Sequence, residues 1–191
     1  MLVGLTGNFG SGKSWVLKIF RHLGAITIDS DEIVHTLLED KKIISKLSEI
    51  LGKEVITGGR VDRKTAGRII FSDEEKRKRV EQLLHPLVFQ EIERVKNRYP
   101  EKIIIAEIPL LFESGYAGSV DRVITVTSPE ETALERLKRK GFSEEEILLR
   151  RKVQIAENIK AEKSDYVIDN SRTPEETERQ VRSIWTDLLR N

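Results

Sequence analysis

Apolar positions along this chain follow two alternating patterns. Short apolar or β-branched runs at Leu2–Thr6, Ala25–Asp29, Ile103–Glu107, Val123–Thr127 and Tyr166–Asp169 read as strands, the first of them buried. Between them the apolar positions recur at helical spacing. Ser14–Leu23 carries Val16, Ile19, Phe20 and Leu23 on one face, with Gly24 as its stop. The last helix carries Val181, Ile184, Trp185 and Leu188 on one stripe, which makes Trp185 a packing residue. Ser128-Pro129-Glu130-Glu131, Ser143-Glu144-Glu145-Glu146 and Thr173-Pro174-Glu175-Glu176 each fit the S/T-x-x-E capping box, two of them with proline at the first helical position. Strands alternating with helices predict an α/β fold, a five-stranded parallel sheet covered by helices on both faces.

The spacing of the strands is uneven. Roughly seventy residues, Asp31 to Glu101, separate the second run from the third, where one crossover helix needs far fewer. That interval is helix-patterned, through Ile33, Val34, Leu37 and Leu38, then Ile43, Ile44, Leu47, Ile50 and Leu51, then Ile69, Ile70 and Phe71, then Val88, Ile92 and Val95. It reads as a helical insert beside the strand ends, where α/β sheets bind ligands and a second substrate would sit. Nothing in the sequence repeats, and no Gly-, Ser- or Pro-rich linker parts two domains.

Immediately after the first strand, Gly7-Asn8-Phe9-Gly10-Ser11-Gly12-Lys13-Ser14 fits the phosphate-binding loop G-x-x-x-x-G-K-[ST] at every fixed position. Glycines there permit the turns that aim successive N–H groups at phosphate oxygens. Lys13 supplies a point charge for the β- and γ-phosphates, and Ser14 offers its hydroxyl to Mg²⁺. The fold is therefore expected to be of the P-loop nucleotide-binding kind.

Composition narrows the remaining classes. Lys and Arg number 33 against 32 Asp and Glu, a net charge of +1, so no global field favours nucleic acid or an anionic membrane. There is no cysteine, hence no disulfide, thiolate nucleophile or zinc-thiolate site. No apolar run approaches the ~18 residues of a membrane span, and the first residues show no basic n-region followed by a long apolar stretch. A soluble, cytoplasmic protein is expected, with no nucleic-acid, membrane or obligate protein partner.

Several acids and bases stand where chemistry would need them. Asp29-Ser30-Asp31 closes the second strand at the sheet's carboxyl edge. Asp31 is the candidate general base for an alcohol acceptor, with Asp29 as its neighbour or an indirect metal contact; a cap on a helix starting at Glu32 is the simpler role for Asp31. Ile103-Ile104-Ile105-Ala106-Glu107 ends in an acid, and Glu107 is a second metal-site candidate or an ordinary strand-end carboxylate. His85 precedes Pro86, which is expected to open the helix carrying Val88 and Ile92, and a hydrogen-bonded structural histidine is common at such a junction. Arg136, Lys138, Arg139, Lys140, Arg150, Arg151 and Lys152 flank Gly141-Phe142. Such a run is usually a solvated face, yet beside a phosphate loop it also reads as a mobile lid whose arginines neutralise a transferring phosphoryl group. Three histidines without a neighbouring nucleophile make no hydrolase triad.

Taken in order, these segments carry a resemblance. Gly4-Leu5-Thr6-Gly7 leading into Gly10–Ser14, Ile28–Asp31, His85-Pro86, Pro109-Leu110-Leu111-Phe112-Glu113, Arg136-Leu137 with Arg139, Arg150 before Gln154, and Asp165–Asn170 together resemble the dephospho-CoA kinases over nearly the whole chain. The resemblance implies ATP-dependent phosphorylation of the ribose 3′-hydroxyl of dephospho-CoA, with ATP and Mg²⁺ as donor and metal and ATP and dephospho-CoA as the small-molecule partners. It implies one P-loop kinase domain, with a nucleotide-binding core near 1–30, 102–134 and 153–191, a helical acceptor-binding insert near 31–101 and a small helical lid near 135–152. By position, Asp31 matches the family's base, Lys13 and Ser14 its phosphate and magnesium contacts, and Arg139 its lid arginine. The loop residues Gly7 to Trp15 and Asn170 fall on the nucleotide side. Arg63, His85, Pro109, Leu110, Leu111 and Glu113 fall on the acceptor side. Asn8-Phe9 stands where the family usually has Gly-Ile, and Trp15 where it usually has threonine. Asn8 tolerates φ > 0 better than most residues, and the Trp15 ring either stacks near the base or packs on the sheet.

Two other functions are compatible with a phosphate loop alone. A shikimate-kinase-like enzyme also carries Asp-x-Asp after its second strand, but the long insert and the segments at 109–113 and 165–170 argue against it. A GTPase-type switch needs an Asn-Lys-x-Asp motif, which Asn158-Ile159-Lys160-Ala161 does not supply.

Overall fold

All five residues of β1 (Leu2–Thr6) are buried, as in a strand covered on both faces. From there the computed structural model, which describes residues 1–190, continues through α1 (Lys13–His22), β2 (Ile26–Asp29), α2 (Ser30–Leu37), α3 (Lys41–Leu51), β3 (Ile56–Thr57), β4 (Arg60–Val61), α4 (Arg63–Ser72) and α5 (Glu74–Arg98). Then follow β5 (Ile104–Glu107), β6 (Arg122–Thr127), α6 (Glu130–Arg139), α7 (Glu144–Lys152), α8 (Glu157–Glu162), β7 (Tyr166–Asp169) and α9 (Pro174–Leu188). The chain divides into two units, one made of Met1–Asp29 with the chain from Val95 onward, the other of Ser30–Arg94.

In the first unit β2, β5, β1, β6 and β7 lie side by side in that order, all parallel. The predicted five-stranded sheet forms, with strand ends within a residue of those expected. The connection from β1 runs to β2 on one side while that from β5 crosses to β6 on the other, so the crevice beyond the carboxyl ends of β1 and β5 is the switch point at which such sheets bind ligands. Alternate residues serve the two faces. Val3, Leu5, Ile105, Ile124, Val126 and Ile168 pack with Val16, Ile19 and Phe20 of α1 and with Val181, Ile184 and Leu188 of α9. Trp185 joins this core, its ring 6.3 Å from that of Phe20. α1 ends as its sequence predicts. Gly24 takes φ 102°, its N–H donates to Arg21 O at 3.1 Å, and the Ala25 N–H donates to Phe20 O at 3.1 Å, a Schellman closure.

The second unit has its own core of Ile43, Leu47 and Leu51 from α3, Val55, Ala66 from α4, and Val80 and Leu84 from α5. It is helical but not wholly so. β3 and β4 form a hairpin closed by Gly58 (φ 58°) and Gly59 (φ 77°), two consecutive left-handed residues of the kind a two-residue primed turn requires. Strands of two residues leave no periodicity to read.

Two local expectations are corrected. Pro86 does not open a helix; it lies inside the 25-residue α5, with Val80, Leu84, Val88 and Ile92 buried along that helix on both sides of it. A proline interrupts one backbone bond of the helix, and burial on either side outweighs that loss. Ser128 does not cap α6. Pro129 is the N-cap, extended at ψ 143°, and the Ser128 N–H donates to Glu157 Oε1 at 3.2 Å. The boxes at Ser143 with Glu146 and Thr173 with Glu176 form as predicted.

Candidate active site

The phosphate loop leaves β1 at Gly7 and enters α1 at Lys13. Gly7, Gly10 and Gly12 take φ of 146°, 93° and 98°, while no non-glycine residue among the described ones has positive φ. The tolerance of Asn8 for such a conformation is thus not used. Gly12 needs its lack of a side chain for a second reason, because a Cβ there would collide with the Asn170 amide. Lys13 is 7% exposed, and its Nζ donates to the carbonyls of Gly7 (3.0 Å) and Asn8 (3.2 Å), so the ammonium is held at the loop. The buried Ser11 Oγ has no hydrogen-bond partner among the described residues.

At the sheet's carboxyl edge Ser14 Oγ lies 3.4 Å from Glu107 Oε1. Glu107 is 6% exposed and stands in register with Leu5 on one side and Asp29 on the other. The two residues expected at a metal are therefore neighbours, and their oxygens are hard donors suited to Mg²⁺, which takes few protein ligands and keeps several waters.

Asn170, at the end of β7, points its amide into the loop. Its Nδ2 donates to Ser11 O at 2.7 Å, and its Oδ1 accepts from Thr177 Oγ1 at 2.9 Å. Arg136 joins them, with its guanidinium on Asn170 O (3.0 Å) and Ser11 O (3.4 Å). Asn170→Ala is expected to lower stability by about 1–3 kcal/mol, because it strips buried partners from Ser11 and Thr177; denaturant unfolding measures it. Arg139, the arginine expected at the lid, is exposed and pairs with Glu135 at 3.0 Å. The arginine held on the loop is Arg136, one turn earlier.

A further arginine reaches the loop through aromatic rings. The Arg150 guanidinium lies 5.0 Å from the Phe9 centroid and 5.2 Å from that of Phe142, and the two rings meet edge to face at 5.0 Å. The Phe9 N–H donates to Gln154 Oε1 at 2.9 Å. Phe9 thus ties the loop to the segment around α7. Trp15 is 46% exposed.

The segment after β5 is firmly seated. Leu111 is fully buried over Gly4, whose missing side chain makes the room, so the Leu111 side chain belongs to the core and offers no surface to a substrate. Pro109, Leu110 and Glu113 are partly buried. Glu113 Oε1 accepts from the Ile155 N–H at 2.9 Å and pairs with Lys160 Nζ at 2.9 Å.

In the other unit Asp31 is exposed in the first turn of α2. That helix begins at Ser30, so Asp31 does not cap one starting at Glu32. Arg63 opens α4 behind an Asp62 cap that takes the Lys64 and Thr65 N–H groups. His85 is half-buried in α5, its ring 5.5 Å from that of Phe89. Burial holds its pKa below the usual 6.5, against the opposing charge of Glu81. The unfolded chain then takes up this proton first, so stability should fall as pH drops from about 6.5 toward the lower folded value and level off below it. Thermal unfolding across that window should show the loss, and His85→Phe should abolish it.

No helix among the described residues is long and apolar enough to cross a membrane. A shikimate kinase from Acinetobacter baumannii, 17% identical with a TM-score of 0.56 and covering 100% of this chain and 93% of its own, shares the fold alone. A crystal structure from Thermus thermophilus superposes with a TM-score of 0.84 at 33% identity, covering 98% of this chain and 97% of its own. The dephospho-CoA kinase of Aquifex aeolicus is 38% identical over 192 residues, 99% of this chain and 98% of that protein. Residues 1–176 match the family model described as dephospho-CoA kinase, and the chain belongs to the dephospho-CoA kinase family.

Proposed function

We propose that this protein transfers the γ-phosphate of ATP to the ribose 3′-hydroxyl of dephospho-CoA, giving coenzyme A and ADP, the last step of coenzyme A synthesis. The observation that carries the reading is the formed phosphate loop, with Lys13 folded onto its carbonyls and Ser14 beside Glu107, in a chain whose family membership spans nearly its whole length. The acceptor oxygen forms a bond to the γ-phosphorus as the bridging bond to ADP breaks, and Asp31 takes the hydroxyl proton. Lys13 and the loop N–H groups hold the β- and γ-phosphates, and the unpartnered Ser11 hydroxyl can donate to a phosphate oxygen. Ser14 and Glu107 would hold Mg²⁺, with Asp29 acting through water, and the ion would supply positive charge against the transferring phosphate.

Arg136 is already on the loop, and Arg139 and Arg150 are the lid cations for the transferring group. The exposed Trp15 ring provides a face for the adenine beside Asn170. Pro109, Leu110 and Glu113 are the acceptor-side residues of the sheet unit, their segment seated in the core by Leu111, and Arg63 and His85 are those of the other unit. The test is ADP release from ATP and Mg²⁺ with dephospho-CoA or shikimate as acceptor. Strong stimulation by dephospho-CoA alone, with coenzyme A as product, is expected. Stimulation by neither compound would overturn the assignment.

A further inference from the structure

A fully buried positive charge lies outside the phosphate loop. Lys160 of α8 has no exposed surface, although lysine is almost never buried completely unless it is paired. Its Nζ donates to Glu113 Oε1 at 2.9 Å and to Pro109 O at 3.1 Å. The Pro109 carbonyl is shared, accepting also from Thr6 Oγ1 at 3.3 Å. Thr6 is the last residue of β1 and the phosphate loop starts at Gly7, so this carbonyl joins the segment to the strand that feeds the loop. Lys160 is itself pinned, since its carbonyl accepts from Ser164 Oγ at 2.7 Å and Thr125 Oγ1 at 3.4 Å.

One ammonium therefore grips both ends of Pro109–Glu113 from a fixed base. Burial pushes the Lys160 pKa down, while the Glu113 hydrogen bond and charge, with Glu157 adding to them, push it back up. Stability alone is a poor reason to keep such a pair. Desolvation largely cancels its attraction, and apolar replacements of similar volume are often as stable. What packed leucines could not do is fix a carbonyl and a carboxylate at set distances. The sequence gives no hint of the arrangement, because Lys160 lies 51 residues from Pro109 on a short helix with no motif of its own.

We propose that Lys160 is a positioning residue for the acceptor: by holding Glu113 and the Pro109 carbonyl at once, it fixes the Pro109–Glu113 segment against β1 and so governs the placement of dephospho-CoA rather than of ATP. This rests on the assignment of that segment to the acceptor side. The test varies each substrate separately. Lys160→Gln, which keeps a donor but no charge, should lower kcat/KM for dephospho-CoA by about tenfold or more, the scale of losing a charge-assisted hydrogen bond. Affinity for a non-hydrolysable ATP analogue, measured by calorimetry, should stay within about twofold, and Lys160→Arg should recover most of the loss.

Equal losses toward both substrates would mean a general structural role and overturn the proposal, as would unchanged kinetics. Should Lys160→Gln fail to fold, Glu113→Gln carries the same expected split. Leu110→Ala separates the two claims. If it leaves dephospho-CoA kinetics unchanged, the segment is not the acceptor side and the proposal falls with that reading. If it weakens the acceptor while Lys160→Gln is silent, the reading stands and the positioning role fails.

Discussion

Lys13→Ala should cost about 10²–10³ in kcat, the scale of deleting one preorganised charge donor from a transition-state cradle, with a further loss in ATP affinity. The lysine is nearly buried and already bonded to the Gly7 and Asn8 carbonyls, so its ammonium is in place before nucleotide arrives. Charge fixed in advance needs no reorganisation as negative charge spreads over the transferring group. Its loss should spare the fold, because the apolar core beneath α1 is built from Val16, Leu17, Ile19 and Phe20 and not from Lys13. Steady-state kinetics measures the first effect. Thermal unfolding with and without ADP measures the second: the variant should melt near the parent temperature but gain less from ADP. Unchanged kinetics would remove the phosphate loop from the mechanism.

What could be read in the sequence was local. The strands are short apolar or β-branched runs, buried in the sheet's centre and half-exposed at its edges β2 and β7, which is why all five appear within a residue of their observed ends, and the phosphate loop is a motif of contiguous residues. The boxes at Ser143 and Thr173 act over three residues and form. Ser128 has the same local pattern and fails, because Glu157, 29 residues away, takes its N–H. The hidden parts share that cause. Asn170 reaches Ser11 across 159 residues and Arg136 reaches it across 125, pairings that only the completed sheet creates. Arg136 was visible as one basic residue among seven, and nothing in their spacing singled it out over Arg139. Phe9 shows the reverse. It was conspicuous as a departure in the loop, but its partners Phe142, Arg150 and Gln154 could be found only once the chain was folded. The Gly58-Gly59 hairpin and the proline inside α5 were obscured differently, the first by strands too short to show a period and the second by packing that overrode a local preference.

Asp31→Asn should separate catalysis from binding. The exchange keeps shape and removes the ability to take a proton, so kcat should fall by about 10²–10⁴, the usual worth of a positioned general base. KM for dephospho-CoA should move little, since the amide can still accept a hydrogen bond from the hydroxyl. Stability should change by no more than about 0.3–1 kcal/mol, the value of a negative charge near a helix N-terminus, because Asp31 is exposed in the first turn of α2 and supports no core. The position itself makes the argument. β2 ends at Asp29 and α2 begins at Ser30 with no intervening loop, so Asp31 stands two residues beyond the strand's carboxyl end. Glu32, in the same turn, provides the control: Glu32→Gln removes an equal charge from the same helix end, and only Asp31→Asn should lower kcat. A loss confined to KM would make Asp31 a binding residue, and equal losses from both substitutions would reduce its role to the charge it contributes.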